Sequence, residues 1–161
     1  MSKPEFVSVT YIATTPEKLW AALTKGDFTK EYWYERRIVS DWKVGSPVTF
    51  FDGDSDVVTD GGVVVEADRP RRLVYTFRPE LSDEARKMGF SRVAFTLEPH
   101  EGMVKFTLVH DELPSEEMAA GFREGWAPIL SSLKTFLETG APMPRIRALE
   151  ERGRPQASAR R

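Results

Sequence analysis

One long amphipathic segment follows a succession of short strand-like segments, and this order constrains the fold more than any other feature of the chain. The segment begins after Pro114 with Ser115 as a start signal and stops at Gly140. Its apolar residues recur at spacings of three and four, the pattern of a helix with one buried face. They are Met118, Phe122, Trp126, Ile129, Leu133 and Leu137.

Seven segments upstream of this helix carry the alternating pattern of β-strands. The first covers residues 5–15, and Thr15 with Pro16 then predicts the start of a helix, followed by a short second helix over 27–34. The stretch 79–90 is predicted to hold a loop or a short helix. The other strand-like segments are separated by turn residues, which favours an antiparallel meander. They cover 36–44, 46–51, 61–68, 71–78, 91–99 and 103–113.

The strands place their apolar side chains on one face of the predicted sheet. That face must be covered, and the C-terminal helix is the only apolar stripe long enough to cover it. The sequence therefore predicts an α+β domain over residues 1–140. It consists of a curved antiparallel sheet of six to seven strands, two short helices after the first strand, and a long helix packed across the sheet.

The predicted long helix contains three residues that weaken helices. A glycine in a helix interior costs about 1 kcal/mol relative to alanine, and a proline about 3 kcal/mol. Gly121 and Gly125 lie one turn apart, and Pro128 follows. We expect a kink between residues 124 and 128, and we interpret the half of the helix that carries Phe122 and Trp126 as the gate of a pocket.

Charge is distributed unevenly along the chain. The net charge is −2, but the segment 144–161 holds six arginines and two glutamates, so the body before it is acidic. An acidic body argues against nucleic-acid binding, which requires clustered lysine and arginine. The basic segment 141–161 is interpreted as a flexible tail. The chain has no run of about 20 apolar residues that would span a membrane, so a cytoplasmic location is expected.

The sequence lacks the usual constellations for metal or cofactor chemistry. It has no cysteine, two histidines and no phosphate-binding or dinucleotide motif. Asp52, Asp54 and Asp56 match the first ligands of a calcium loop. Val57 and Val63 stand where that loop needs glycine and a bidentate glutamate. No metal site and no cofactor are predicted.

Two segments resemble one known family. They are EYWYERRIVSDWKVGSPVTF (31–50) and GWAPILSSLKTFLETG (125–140). They resemble the bacterial branch of the Hsp90-ATPase-activator homologues (AHSA1-like) in the START-like, or SRPBCC, helix-grip superfamily. The resemblance implies a sheet that grips the C-terminal helix over a cavity. Members bind lipids, hormones or polyketides, or stimulate a chaperone ATPase. One departure is Glu35, where members carry a glycine.

Inward-facing polar and aromatic residues are the candidates for a ligand site. His110 ends a strand on an apolar face, where it could act as an acid or base or serve as a structural histidine bonded to the backbone or to Asp111. Tyr11 and Tyr75 are candidates to present hydroxyls to the interior, or to be ordinary core residues. The predicted ligand-binding set is Trp33, Trp42, Phe50, Tyr75, Phe77, Phe95, Phe106, His110, Met118, Phe122 and Trp126.

Three functional hypotheses from different classes follow. The leading one is a binding protein that holds a small apolar or aromatic molecule between sheet and helix without catalysis. The second is a cyclase- or aromatase-like enzyme that uses His110 with a tyrosine. The third is a protein-interaction module, either a chaperone partner by analogy with the family or a homodimer.

Overall fold

The computed structural model describes residues 3–144, so residues 145–161 of the predicted basic tail lie outside the described part. The elements follow the predicted order of a strand, two helices, a run of strands and a long helix. They are β1 (Phe6–Ile12), α1 (Pro16–Thr24), α2 (Gly26–Tyr32), β2 (Arg36–Val39), β3 (Pro47–Asp52), β4 (Val58–Asp68), β5 (Arg72–Pro79), α3 (Asp83–Arg86), β6 (Ser91–His100), β7 (Met103–Asp111) and α4 (Glu116–Thr139).

The strands form one curled antiparallel sheet in the order β1-β7-β6-β5-β4-β3-β2. Each strand from β2 to β7 pairs with the next strand along the chain. The first strand, β1, pairs with the last, β7. The prediction of a curved antiparallel sheet crossed by the C-terminal helix is confirmed. The long helix has the predicted ends: Ser115 caps its N-terminus by accepting from Met118 N, and Gly140 closes it with φ of 90°.

The core lies between the concave face of the sheet and α4. In β7, side chains alternate strictly between buried and half-buried positions, which places Val104, Phe106, Leu108 and His110 inside. Trp126, Ile129, Leu130 and Leu133 of α4 pack against this face in a single cluster of buried side chains. The predicted apolar stripe is therefore the contact surface of the helix.

Two local predictions are wrong. Tyr11 is 42% exposed on the outer face of β1, against His100, because Phe6, Ser8 and Thr10 occupy the face that looks toward α4.

The predicted strand over 36–44 ends at Val39. After it, Ser40 Oγ accepts from Trp42 N at 3.0 Å, and Trp42 adopts a left-handed φ of 60° that leaves the extended conformation.

The helix α4 continues through Pro128 as one helix, and the kink between residues 124 and 128 stays a prediction. Proline lacks the N–H that would bond to the carbonyl of Glu124 one turn earlier. No helix within residues 3–144 is both long and apolar enough to cross a membrane.

Candidate functional site

A pocket of about 360 Å³ opens between the N-terminal half of α4 and one end of the sheet. Its floor and walls are mostly apolar, with one charged pair at the side contributed by β2 and β4. The lining residues are Trp33, Tyr34, Arg36, Asp60, Phe77, Pro79, Met88, Met118, Gly121, Phe122, Gly125, Trp126 and Ile129. A space of this size accommodates a molecule of two fused aromatic rings.

The two helix glycines form part of the pocket wall. A Cβ atom added at Gly121 or at Gly125 would meet no heavy atom within 4 Å, so both positions face open space. Met118, Phe122 and Trp126 flank them on the same side of α4. The helix-weakening residues therefore lie where the absence of a side chain enlarges the pocket.

A tight turn between α2 and β2 forms the opposite wall. Tyr34 and Glu35 both adopt left-handed φ angles, of 49° and 59°. Glu35 is the residue that replaces the family's glycine, so the turn keeps the conformation that glycine favours despite the side chain. The Tyr34 hydroxyl donates to the carbonyl oxygen of Gly125 at 2.9 Å, which fastens the turn to α4 across the pocket mouth.

An ion pair provides the polar side of the pocket. Arg36 Nε lies 3.1 Å from Asp60 Oδ2, and Arg36 Nη1 donates to the Tyr34 carbonyl at 3.1 Å. The Asp60 side chain is only 9% exposed. Burial raises the pKa of the Asp60 carboxyl above its usual range, and the charge of Arg36 opposes that rise.

His110 links three strands and the helix through a chain of hydrogen bonds. Trp126 Nε1 donates to His110 Nδ1 at 2.9 Å, and since an indole N–H can only donate, Nδ1 must accept. The neutral ring then carries its proton on Nε2, which donates to Ser91 Oγ at 2.7 Å. Ser91 Oγ donates in turn to the Phe77 carbonyl at 3.1 Å.

These hydrogen bonds, together with burial, hold His110 in the neutral form. Burial lowers the pKa of His110 to about 4. The ring is fully buried, both nitrogens are hydrogen-bonded, and the ring of Phe122 lies against it with centroids 4.4 Å apart. Its partners are Ser91 and Trp126, and the predicted alternative of a bond to Asp111 is not among its contacts. The geometry is that of a structural histidine that joins α4 to the sheet.

The structure brings five of the predicted ligand-binding residues together at the pocket. They are Trp33, Phe77, Met118, Phe122 and Trp126. The other six do not line it: Trp42, Phe50, Tyr75, Phe95, Phe106 and His110. Alternation along the strands identifies the inward face, but on that face the side chains from β3 and β5 to β7 fill the interior themselves.

The residues outside the pocket have definite structural places. Phe50 contacts the rings of Trp33, Phe77 and Tyr75, at centroid distances of 5.1, 5.6 and 6.2 Å. Trp42 Nε1 donates to the Thr24 carbonyl at 3.1 Å. The fully buried Tyr75 hydroxyl has no hydrogen-bond partner among residues 3–144, although a buried unpaired hydroxyl is costly. A ligand contact by any of these six residues stays a prediction.

Sequence reasoning missed the ion pair and the loop side of the pocket. Arg36 and Asp60 are 24 positions apart and meet only because β3 lies between β2 and β4 in the sheet. A signal was present, since Asp60 stands directly before two glycines and three valines in β4. Met88 reaches the pocket from the segment after α3, within the stretch 79–90 whose pattern predicts only a loop or a short helix.

The fold and the family are also identified by comparison with known proteins. The model of a family described as activator of Hsp90 ATPase homolog 1-like protein matches residues 13–138. No curated protein matches the chain significantly.

Three solved structures illustrate the structural similarity. The protein ChR145 from Cytophaga hutchinsonii is 26% identical, with a TM-score of 0.70 over 87% of this chain and 97% of that one. An Aha1 dimer from Colwellia psychrerythraea is 24% identical, with a TM-score of 0.66 over 85% and 98%. An Hsp90 activator from Plasmodium falciparum is 20% identical, with a TM-score of 0.67 over 86% and 97%.

The last two similarities concern the fold alone, because their sequence identities are low. The family match covers most of the chain, from the end of β1 to the end of α4, and it includes all the pocket-lining residues. The resemblance inferred from residues 31–50 and 125–140 is confirmed. The chain belongs to the family of activator of Hsp90 ATPase homologue 1-like proteins.

Proposed function

We propose that the protein binds a small aromatic or apolar molecule in the pocket between α4 and the sheet. The observation that carries this proposal is the pair of glycines, Gly121 and Gly125, whose missing side chains face open space within an aromatic wall. A helix that served only for packing would gain stability from larger residues there. Their presence fits a helix whose N-terminal half accommodates a ligand, and the predicted cytoplasmic location would suit an intracellular one.

Apolar burial would supply most of the binding free energy. A naphthalene-sized molecule that buries about 250 Å² would gain about 6 kcal/mol at roughly 25 cal/mol per Å². That value corresponds to a Kd of about 40 μM before ordering costs. The aromatic side chains Trp33, Phe77, Phe122 and Trp126 provide faces and edges for ring contacts.

Catalysis by His110 has no support in the geometry. A general acid or base must reach the reacting atoms, and it needs an available nitrogen. His110 has both nitrogens engaged, and it is not among the residues that line the pocket. The proposal is therefore a binding function, and His110 is not placed to carry the cyclase-like hypothesis.

Calorimetric titration with 2-naphthylmethanol tests the binding proposal. This uncharged two-ring alcohol is small enough for a 360 Å³ pocket. We expect one saturable site per chain with a Kd between about 10 and 500 μM. Heats that do not saturate up to the solubility limit of the probe would contradict the proposal.

An interaction role is a second candidate, favoured by the outer face of β1. Val7, Val9 and Tyr11 are 49%, 51% and 42% exposed on this strand, which ends the sheet order. The related Aha1 structure from Colwellia psychrerythraea is described as a dimer. Light scattering of the purified chain would show a dimer if β1 associates with a second copy, and a monomer at micromolar concentration would contradict that role. A chaperone partner is supported only by the family to which the chain belongs.

A further inference from the structure

The pocket contains one basic and one acidic side chain. Among the residues that line it in the described part of the chain, Arg36 and Asp60 are the only charged ones. When Asp60 is ionised, which its contact with the Arg36 guanidinium at 3.1 Å favours, the two opposite charges cancel and the lining has no net charge. All the other lining side chains are apolar or aromatic, apart from the Tyr34 hydroxyl, which is bonded to α4.

Both members of the pair are largely removed from water. The Arg36 side chain is 20% exposed and the Asp60 side chain 9% exposed. Arg36 also holds the carbonyl of Tyr34, so its position is fixed by the turn as well as by the carboxylate. A charged ligand that enters such a site loses its hydration and meets no net opposite charge in return.

The charge of a further acid, Glu80, does not change this balance. Glu80 acts on Asp60 through its charge, but it is itself paired with Arg78, with Nε and Oε2 2.7 Å apart. Neither Glu80 nor Arg78 lines the pocket. A carboxylate has several acceptor positions and can accept a hydrogen bond from a ligand hydroxyl in addition to its bond with arginine.

We infer that the Arg36–Asp60 pair is the polar anchor of the pocket and makes the protein select uncharged aromatic molecules that carry a hydroxyl group over carboxylates and amines. This inference rests on the proposed binding function. It adds the class of ligand and assigns a specificity-determining role to two residues of the pocket. The charges of the two residues cancel, so substitution of either one would give the lining a net charge.

Three probes of one shape test the selectivity. They are 2-naphthylmethanol, which is neutral, 2-naphthylmethylamine, which is a cation at pH 7, and 2-naphthoate, which is an anion. Calorimetry on the unmodified chain should show the alcohol bound at least about tenfold more tightly than either charged probe. A charged probe bound as tightly as the alcohol would overturn the inference.

Asp60→Asn then tests the assignment to the ion pair. This change gives the lining a net charge of +1, and we expect the ratio of naphthoate to alcohol affinity to rise at least about tenfold. Asp54→Asn is the matched control, since it removes an acid that pairs with Lys30 at 2.9 Å outside the pocket and should leave the ratio unchanged. An unchanged ratio in folded Asp60→Asn would overturn the inference.

Different results contradict the binding function and the role of the ion pair. If none of the three probes binds the unmodified chain, the proposed function fails. If the probes bind without charge selectivity, only the role of the ion pair fails. Should Asp60→Asn lose its circular dichroism signal, the affinities of the three probes for the unmodified chain decide the inference alone.

Discussion

Leucine in place of Gly125 is expected to weaken binding of 2-naphthylmethanol by about 100-fold or more. The new side chain would extend into open space that the ligand needs, since a Cβ at this position meets no atom within 4 Å. The same change removes a helical glycine, so the free energy of unfolding should rise by about 0.5 to 1 kcal/mol. Calorimetry and chemical denaturation measure the two effects.

Weaker binding together with a higher free energy of unfolding would distinguish a loss of ligand space from general damage to the fold. Ala120→Leu is the matched control, because Ala120 is exposed on the same helix and does not line the pocket. It should leave binding within about twofold of the unmodified chain. A Gly125→Leu variant that is stable and binds the probe normally would show that the ligand does not occupy this space.

Alanine in place of Trp126 is expected to lower the free energy of unfolding by about 4 kcal/mol. Trp126 is 4% exposed and packs against Trp33 and Phe95, with ring centroids 5.0 and 6.1 Å away. Truncation removes these contacts and also leaves His110 Nδ1 buried without its donor. Urea denaturation followed by circular dichroism gives the change.

Phenylalanine at position 126 separates packing from hydrogen bonding. Trp126→Phe keeps an aromatic ring but cannot donate to His110, so we expect a loss of about 2 kcal/mol, within the range for a buried group left unpaired. The difference between the two variants reports the packing contribution. If Trp126→Ala lost less than about 1 kcal/mol, α4 would not be held to the sheet by this residue.

Much of the fold was predictable because its signals are local. The alternation in residues 103–111 predicts β7 and its inward face, and the Ser115 and Gly140 signals predict both ends of α4. The prediction was wrong for Trp42, which lies beyond the end of β2 in a turn where its backbone N–H donates to Ser40 Oγ. Tyr11 was misplaced because the pattern of β1 alternates without showing which side α4 covers.

The site was less predictable because it depends on how side chains fill space. Phe122 and Trp126 could be predicted, since they lie on the apolar stripe of α4 beside the glycines. Phe95 and Phe106 have the same inward orientation, yet their rings stack at 5.5 Å and close the core there. Alternation cannot distinguish a residue that lines a pocket from one that fills it.

Magnetic resonance titration with 2-naphthylmethanol tests the central claim, that the pocket between α4 and the sheet binds an aromatic molecule. We expect saturable shifts with a single Kd, largest at the amides of Gly121 and Gly125 and at the Trp126 indole N–H, which belong to pocket-lining residues. The absence of saturable shifts, or shifts confined to the outer face at Val7 and Val9, would contradict it.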